Sequence, residues 1–156
     1  MKKAIFLSLA LFISVFCISQ KDDPFKCPVK INGQLQPDSL ICKLTNDLIL
    51  VDAKTFMESA GGEYYPFPDL FNVFGFAAQY GKIISYARAG YDTGFYNSQP
   101  VFMIPPVEKI SFEGANLYAA PLTFLSKAIG DTVFYNSNES LLEVSLSPPD
   151  AATHTT

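Results

Sequence analysis

The sequence predicts a single small domain of paired strands and two short helices, in which one strand, hairpin and short-helix unit occurs twice. Three observations carry that reading: turn residues at hairpin positions, two short segments with a helical apolar period, and a gapless superposition of residues 46–61 on residues 115–130. The 156 residues, 49% hydrophobic and 17% charged, suit one domain able to bury a core without metals or many disulfides. A two-domain enzyme does not fit this length. The net charge of −4 argues against nucleic acid or an anionic membrane as the main partner, because both require clustered Lys and Arg.

Residues 1–19 have two lysines, an apolar run from Ala4 to Phe16, and small or polar residues before Gln20, the three-part pattern of a secretory signal peptide. The apolar run is too short to span a bilayer, which takes about 20 residues, and no second run of that length follows, so the mature chain is expected to have no transmembrane segment. Cys17 raises a lipid-anchor reading, but the bulky Phe16 sits where a small residue is required. Cleavage after Ser19 removes Lys2 and Lys3 and leaves nine basic and fifteen acidic residues, a net charge of −6.

Residues 20–26 read as a polar leader, and residues 27–146 as the domain. Val29, Ile31 and Leu35 flank Asn32-Gly33, a pair suited to a type I′ turn because both central positions need positive φ. Two further apolar runs surround Thr45-Asn46-Asp47. From Asp52 to Ala60 the apolar residues Ala53, Phe56, Met57 and Ala60 have the spacing of one buried helix face, with Asp52 as N-cap and Gly61-Gly62 as the stop. Tyr64 to Tyr80 is rich in Tyr, Phe and Pro without clean periodicity, and Lys82 to Gly90 reads as a strand.

The second half repeats this order. Asn97-Ser98 is hairpin-like, and residues 116–135 run strand, short helix, Gly130, strand. The superposition places Leu48 on Leu117, Asp52 on Pro121, Phe56 on Leu125, Ala60 on Ile129 and Gly61 on Gly130, so Pro121 falls at a helix start, where a fixed φ is favourable. A last strand ends near Leu146. Residues 147–156 read as a disordered tail.

This succession resembles the copper amine oxidase N-terminal-like domain, or stalk domain. The first unit offers KINGQLQ followed by NDLILVDAKTFMESAGGEYY, and the second offers FYNSQPVFMIPPVEKISFEGANLYAAPLTFLSKAIGDTVFYN. The family's VPLR signature is VDAK in one unit and APLT in the other, two extra residues precede Pro121, and the aromatic stretch is an insertion. The resemblance implies an α+β domain of curled antiparallel strands with two short helices, in exported or surface proteins. It implies no copper site and no other cofactor, because in the oxidases the metal and quinone belong to a separate catalytic domain.

The residues supply little catalytic chemistry. The sole imidazole is His154, in the tail, so neither a multi-histidine metal site nor a Ser-His-Asp or Cys-His arrangement can be assembled. The acids, including Asp22, Asp23 and Asp92, lack calcium-loop spacing. Cys27 and Cys42 read either as one disulfide, expected in an oxidising compartment, or as two buried thiols. Asn138-Glu139-Ser140 fits the glycosylation sequon, meaningful only for a eukaryotic source.

The aromatic stretch has two readings, a core filler in a protein without Trp or an exposed contact patch. As an insertion in a repeated scaffold it is expected to form a loop on one face, with Tyr65, Phe67 and Phe71 as the leading contact residues. The functional expectation is therefore a non-catalytic secreted or cell-envelope module that binds a protein or a cell-wall glycan. The alternative is a small glycosidase-like hydrolase with two carboxylates in one cleft, about 5 to 10 Å apart.

Overall fold

The computed structural model describes residues 23–67 and 74–147. The expected signal peptide, most of the tail and Phe71 lie outside them. Chain order runs β1 (Phe25–Cys27), β2 (Val29–Ile31), β3 (Gln34–Leu35), β4 (Leu40–Thr45), β5 (Leu48–Asp52), α1 (Ala53–Ser59) and β6 (Glu63–Pro66). It continues with β7 (Gly75–Tyr80), β8 (Ile83–Arg88), β9 (Thr93–Tyr96), β10 (Gln99–Phe102), β11 (Glu108–Phe112) and β12 (Ala115–Pro121). The last elements are α2 (Leu122–Ile129), β13 (Val133–Asn136) and β14 (Leu141–Val144).

These strands form three sheets, ordered β1-β4-β5-β12-β11, β10-β9-β8-β7-β6 and β13-β14-β2-β3. With 53% strand and 13% helix among the described residues, the fold is β-rich, which corrects the α+β expectation. Two physical reasons account for the difference. The helices are stopped after seven and eight residues, and the aromatic stretch expected to be a loop supplies two more strands. One pairing also departs from an all-antiparallel arrangement, since β14 runs parallel to β2. Phe25 and Lys26, expected in a leader, instead pair with β4.

The turn chemistry is as the sequence predicts. Asn32-Gly33, Asn46-Asp47 and Asn97-Ser98 each have positive φ at both central residues, and Glu113-Gly114 joins them as a fourth. Asn and Gly occupy most of these positions because they tolerate the left-handed region at low steric cost.

The duplication has a structural counterpart in the first sheet. β12 pairs antiparallel with β5 at Pro121–Leu50, Ala120–Val51 and Ala119–Asp52. The gapless superposition exchanges these pairs with one another, so a local two-fold passes between Val51 and Ala120. The two helices begin at equivalent positions and end alike: the Gly62 N–H donates to the Met57 carbonyl at 2.8 Å, and the Asp131 N–H to the Ser126 carbonyl at 3.0 Å. Their starts differ. The Asp52 carboxylate accepts from the Lys54 N–H at 3.2 Å and from the Thr55 hydroxyl at 2.5 Å, whereas Pro121 holds the cap position of α2 without a side-chain bond.

Both helices lie in the core. Phe56 and Met57 of α1, and Phe124, Leu125, Ala128 and Ile129 of α2, pack with residues from all three sheets, including Val51, Phe76 and Leu142. A smaller cluster of Leu50, Ile110 and Ala119 covers the other face of the first sheet. Glycine permits one close approach: a Cβ on Gly94 would lie 2.9 Å from the Phe124 ring, so β9 sits directly on α2.

Candidate binding face

The second sheet divides its residues by the period of two that strands impose. Phe76, Ala78, Ile83, Ser85, Ala87, Gly94 and Val101 are buried and face the helices. Their neighbours in sequence face outward. Ala77 lies opposite both Tyr65 and Tyr86, Tyr86 opposite Phe95, and Phe95 opposite Pro100. The outer face therefore carries an unbroken row, Tyr65–Ala77–Tyr86–Phe95–Pro100, across all five strands. At about 4.8 Å per strand the row spans about 19 Å.

Next to this row, Arg88 lies opposite Gly75, and Phe102 opposite Thr93. The Phe67 N–H donates to the Gly75 carbonyl at 2.9 Å, which continues the β6–β7 register and puts Phe67 on the same side as Tyr65. Tyr65 is 51% exposed and Phe102 62%, and Ile84, Tyr86 and Tyr91 are also exposed. Large apolar side chains gathered on one face of a sheet are the composition of a contact surface rather than of ordinary solvated surface.

Ring geometry defines what this face presents. Tyr86 and Phe95 stack with centroids 4.9 Å apart and planes inclined by 18°. Each ring thus covers one face of the other. The Arg88 guanidinium lies 4.3 Å over the Tyr91 ring. Toward the β6 edge, the Tyr65 hydroxyl donates to the Glu63 carboxylate, an interaction that raises the phenol above its ordinary pKa.

No protein family, curated protein or solved structure matches this chain.

The residues singled out in the sequence separate in space. Tyr65 stands on the exposed face, Phe67 beside it is half-buried, and Phe71 lies outside the described residues. The stretch expected to be a loop is two strands and the link between them, and its aromatics divide between the sides. Phe76 and Tyr80 are core residues, and half-buried Tyr64 stacks on Phe76 at 5.2 Å. The core reading holds for Phe76 and Tyr80, whereas Tyr65 is exposed. Tyr86, Phe95, Phe102 and Arg88 were not singled out. The signal was the unusual alternation of residues 83–88, where Ser85 and Ala87 are smaller than Ile84 and Tyr86, so periodicity alone assigns the larger set to the core.

Cys27 and Cys42 are free, buried thiols, which corrects the expected disulfide. Cys27 lies opposite Leu40, and Cys42 opposite Phe25. The two are therefore diagonal neighbours, a relation that places Cα atoms about 7 to 8 Å apart, beyond the roughly 4.4 to 6.8 Å of a disulfide. The Cys42 thiol donates instead to the Leu40 carbonyl at 3.9 Å. The nearness of the two thiols lowers the pKa of Cys27 and, together with burial, raises that of Cys42. Cys27 also donates to the Ser140 carbonyl at 3.3 Å.

The clefts are shallow and polar or small. One of about 420 Å³ runs along Tyr96, Asn97, Lys127 and Asp131, a second of about 390 Å³ along Lys30, Phe134 and Glu143, and a third of about 200 Å³ along Leu48, Ile104 and Tyr135, with Asp47. Each of these three is lined by a single carboxylate. Asp131 is occupied in addition, accepting from the Thr132 and Ser147 N–H groups and the Ser147 hydroxyl. Among the described residues, no three His, Cys, Asp or Glu side chains converge, and no helix is long and apolar enough to cross a membrane.

Proposed function

We propose that this chain is an exported, non-catalytic module of the cell surface or envelope that binds a macromolecule, protein or cell-wall glycan, on the outer face of its second sheet. The cross-strand row Tyr65–Ala77–Tyr86–Phe95–Pro100 carries the reading, because it places large apolar side chains on a regular, rigid platform where they contribute little to the fold. The signal-like residues 1–19 and the resemblance to stalk domains support the location. The duplicated hairpin-and-helix unit, with its local two-fold, supports the resemblance.

The test is capture from an extracytoplasmic fraction of the source cells by the mature protein and by its Tyr86→Ala/Phe102→Ser variant. Capture of a partner by the wild type, lost in a variant that still unfolds cooperatively above the capture temperature, is expected. Equal capture by both would assign binding to another surface.

A further inference from the structure

We propose that Cys27 and Cys42 form a redox-sensitive latch: joining them in a disulfide slides β1 by two residues along β4 and draws β2 away from β14, so that oxidation opens the third sheet. None of the binding-face residues takes part.

The strand register sets the constraint. Phe25 lies opposite Cys42 and Cys27 opposite Leu40, so the thiols stand on one side of the strand pair but two residues out of step. A disulfide suits residues directly opposite each other, whose Cα atoms are about 4.5 to 5.5 Å apart. A one-residue slip would turn Cys27 to the other side of the sheet, so the smallest slip that pairs the thiols is two residues, about 7 Å. Among the described residues β1 is a three-residue edge strand paired with β4 alone, whereas β4 is also paired with β5 over four residues. The strand that moves is therefore β1.

β2 follows because a single proline connects the two. Pro28 has a fixed φ and cannot stretch to absorb the displacement. In the native register the Pro28 carbonyl accepts from the Leu142 N–H at 3.0 Å, buried Val29 lies opposite buried Leu142, and the Asn32 N–H donates to the Val144 carbonyl at 2.9 Å. The Cys27 thiol itself donates to the Ser140 carbonyl at 3.3 Å. The slide breaks all of these contacts, and the second sheet shares no strand pairing with β1 or β2.

The slipped state is held by the disulfide alone. It sets Lys26 opposite Lys43, where the native register sets Lys26 opposite Ile41, and like charges across a strand pair repel. Reduction therefore returns β1 and β2 to their native partners. Both thiols are fully buried in the native state, so an oxidant reaches them when β1 frays from its edge or before the chain has folded. The oxidant is a small-molecule disulfide. One cysteine thiolate attacks it and releases one thiol, the second cysteine displaces the other, and the protons of Cys27 and Cys42 leave on the two released thiols.

The experiment oxidises the mature protein in urea with oxidised glutathione, refolds it by dilution, isolates the disulfide-bonded monomer, and reads amide hydrogen exchange before and after dithiothreitol. The control is Leu40→Cys/Cys42→Ala, whose two thiols are directly opposite in the native register. Oxidised wild type should exchange the Asn32, Leu142 and Leu146 amides at least a hundredfold faster than the reduced protein, keep the protection of β7 and β8, and recover native exchange with dithiothreitol. The oxidised control should keep its protection throughout. Native exchange at Asn32, Leu142 and Leu146 in oxidised wild type would overturn the slide, and so would loss of protection in β7 and β8, opening of the third sheet on oxidation of the control, or failure of Cys27 and Cys42 to join within one chain.

Discussion

The two sides of the second sheet reverse the usual order of size. Ala78, Ser85, Ala87 and Gly94 form the middle of the buried side, whereas Ile84, Tyr86, Phe95 and Phe102 stand on the outer side. The inner residues are small because α2 fills the space above them: Phe124 meets Gly94 directly and makes an edge-to-face contact with Phe76 at 5.8 Å. Among the described residues, no helix covers the outer side. Residue size on a sheet face therefore reports what lies opposite, and the large residues of the outer face are the ones the proposed binding would use.

The largest way to break this contrast is Phe124→Ala, which leaves a cavity over the small inner residues and should cost about 3 to 5 kcal/mol in urea denaturation. Filling the same space from the other side is also unfavourable. Gly94→Val places side-chain atoms against the Phe124 ring and should destabilise by about 1 to 3 kcal/mol.

Asp52 gives the core side a dependence on pH in the acidic range. Burial raises its pKa, opposed by its bonds to Thr55 and Lys54. The folded chain thus holds this proton more tightly than the unfolded chain, so Asp52 makes stability fall as pH rises from about 4, the unfolded value, through the raised folded value. Asp52→Asn should flatten that portion of the stability profile, and Asp52→Ala should lose about 1 kcal/mol through the missing cap.

On the outer face, Phe102→Ser should change stability by no more than about 0.5 kcal/mol. Tyr86→Ala should cost up to about 1.5 kcal/mol, because it also ends the stack with Phe95. The smallest expected effect is that of reductant. Denatured, unreduced protein should titrate with two thiols per mature chain, and a reducing agent should leave the melting temperature unchanged.

Local chemistry made much of the scaffold legible. The turns at Asn32-Gly33, Asn46-Asp47 and Asn97-Ser98, the Asp52 cap and the stops after both helices all depend on residues within a few positions of one another. The superposition of Asp52 on Pro121 proved to be a symmetry of strand pairing, because repeated sequence in adjacent hairpins meets across a local axis. What depended on distant packing was not legible. The short helices gave no measure of how much strand surrounded them, which left the fold class misjudged. Tyr65 was recognisable as a contact candidate, but Tyr86 and Arg88 were not, since the inward choice between Ser85 and Tyr86 is made by Phe124, far along the chain. Cys27 and Cys42 were recognised as neighbours, but a pairing shifted by two residues makes them diagonal.

The parallel pairing of β14 with β2 governs the order of assembly. The third sheet needs strands from both ends of the domain, and Asn32 locks the junction by accepting from the Leu146 N–H at 2.8 Å and donating to the Leu146 carbonyl at 3.2 Å, 114 residues away. Until Leu141–Val144 has been synthesised, the hairpin of β2 and β3 has no central strand to join, and Val29 has no partner for burial. Closing so long a loop is slow, because its entropy must be lost before the contact forms. The nascent chain thus stays incompletely folded until residues 141–144 are made, the state that the export proposed above would require for passage through a narrow channel.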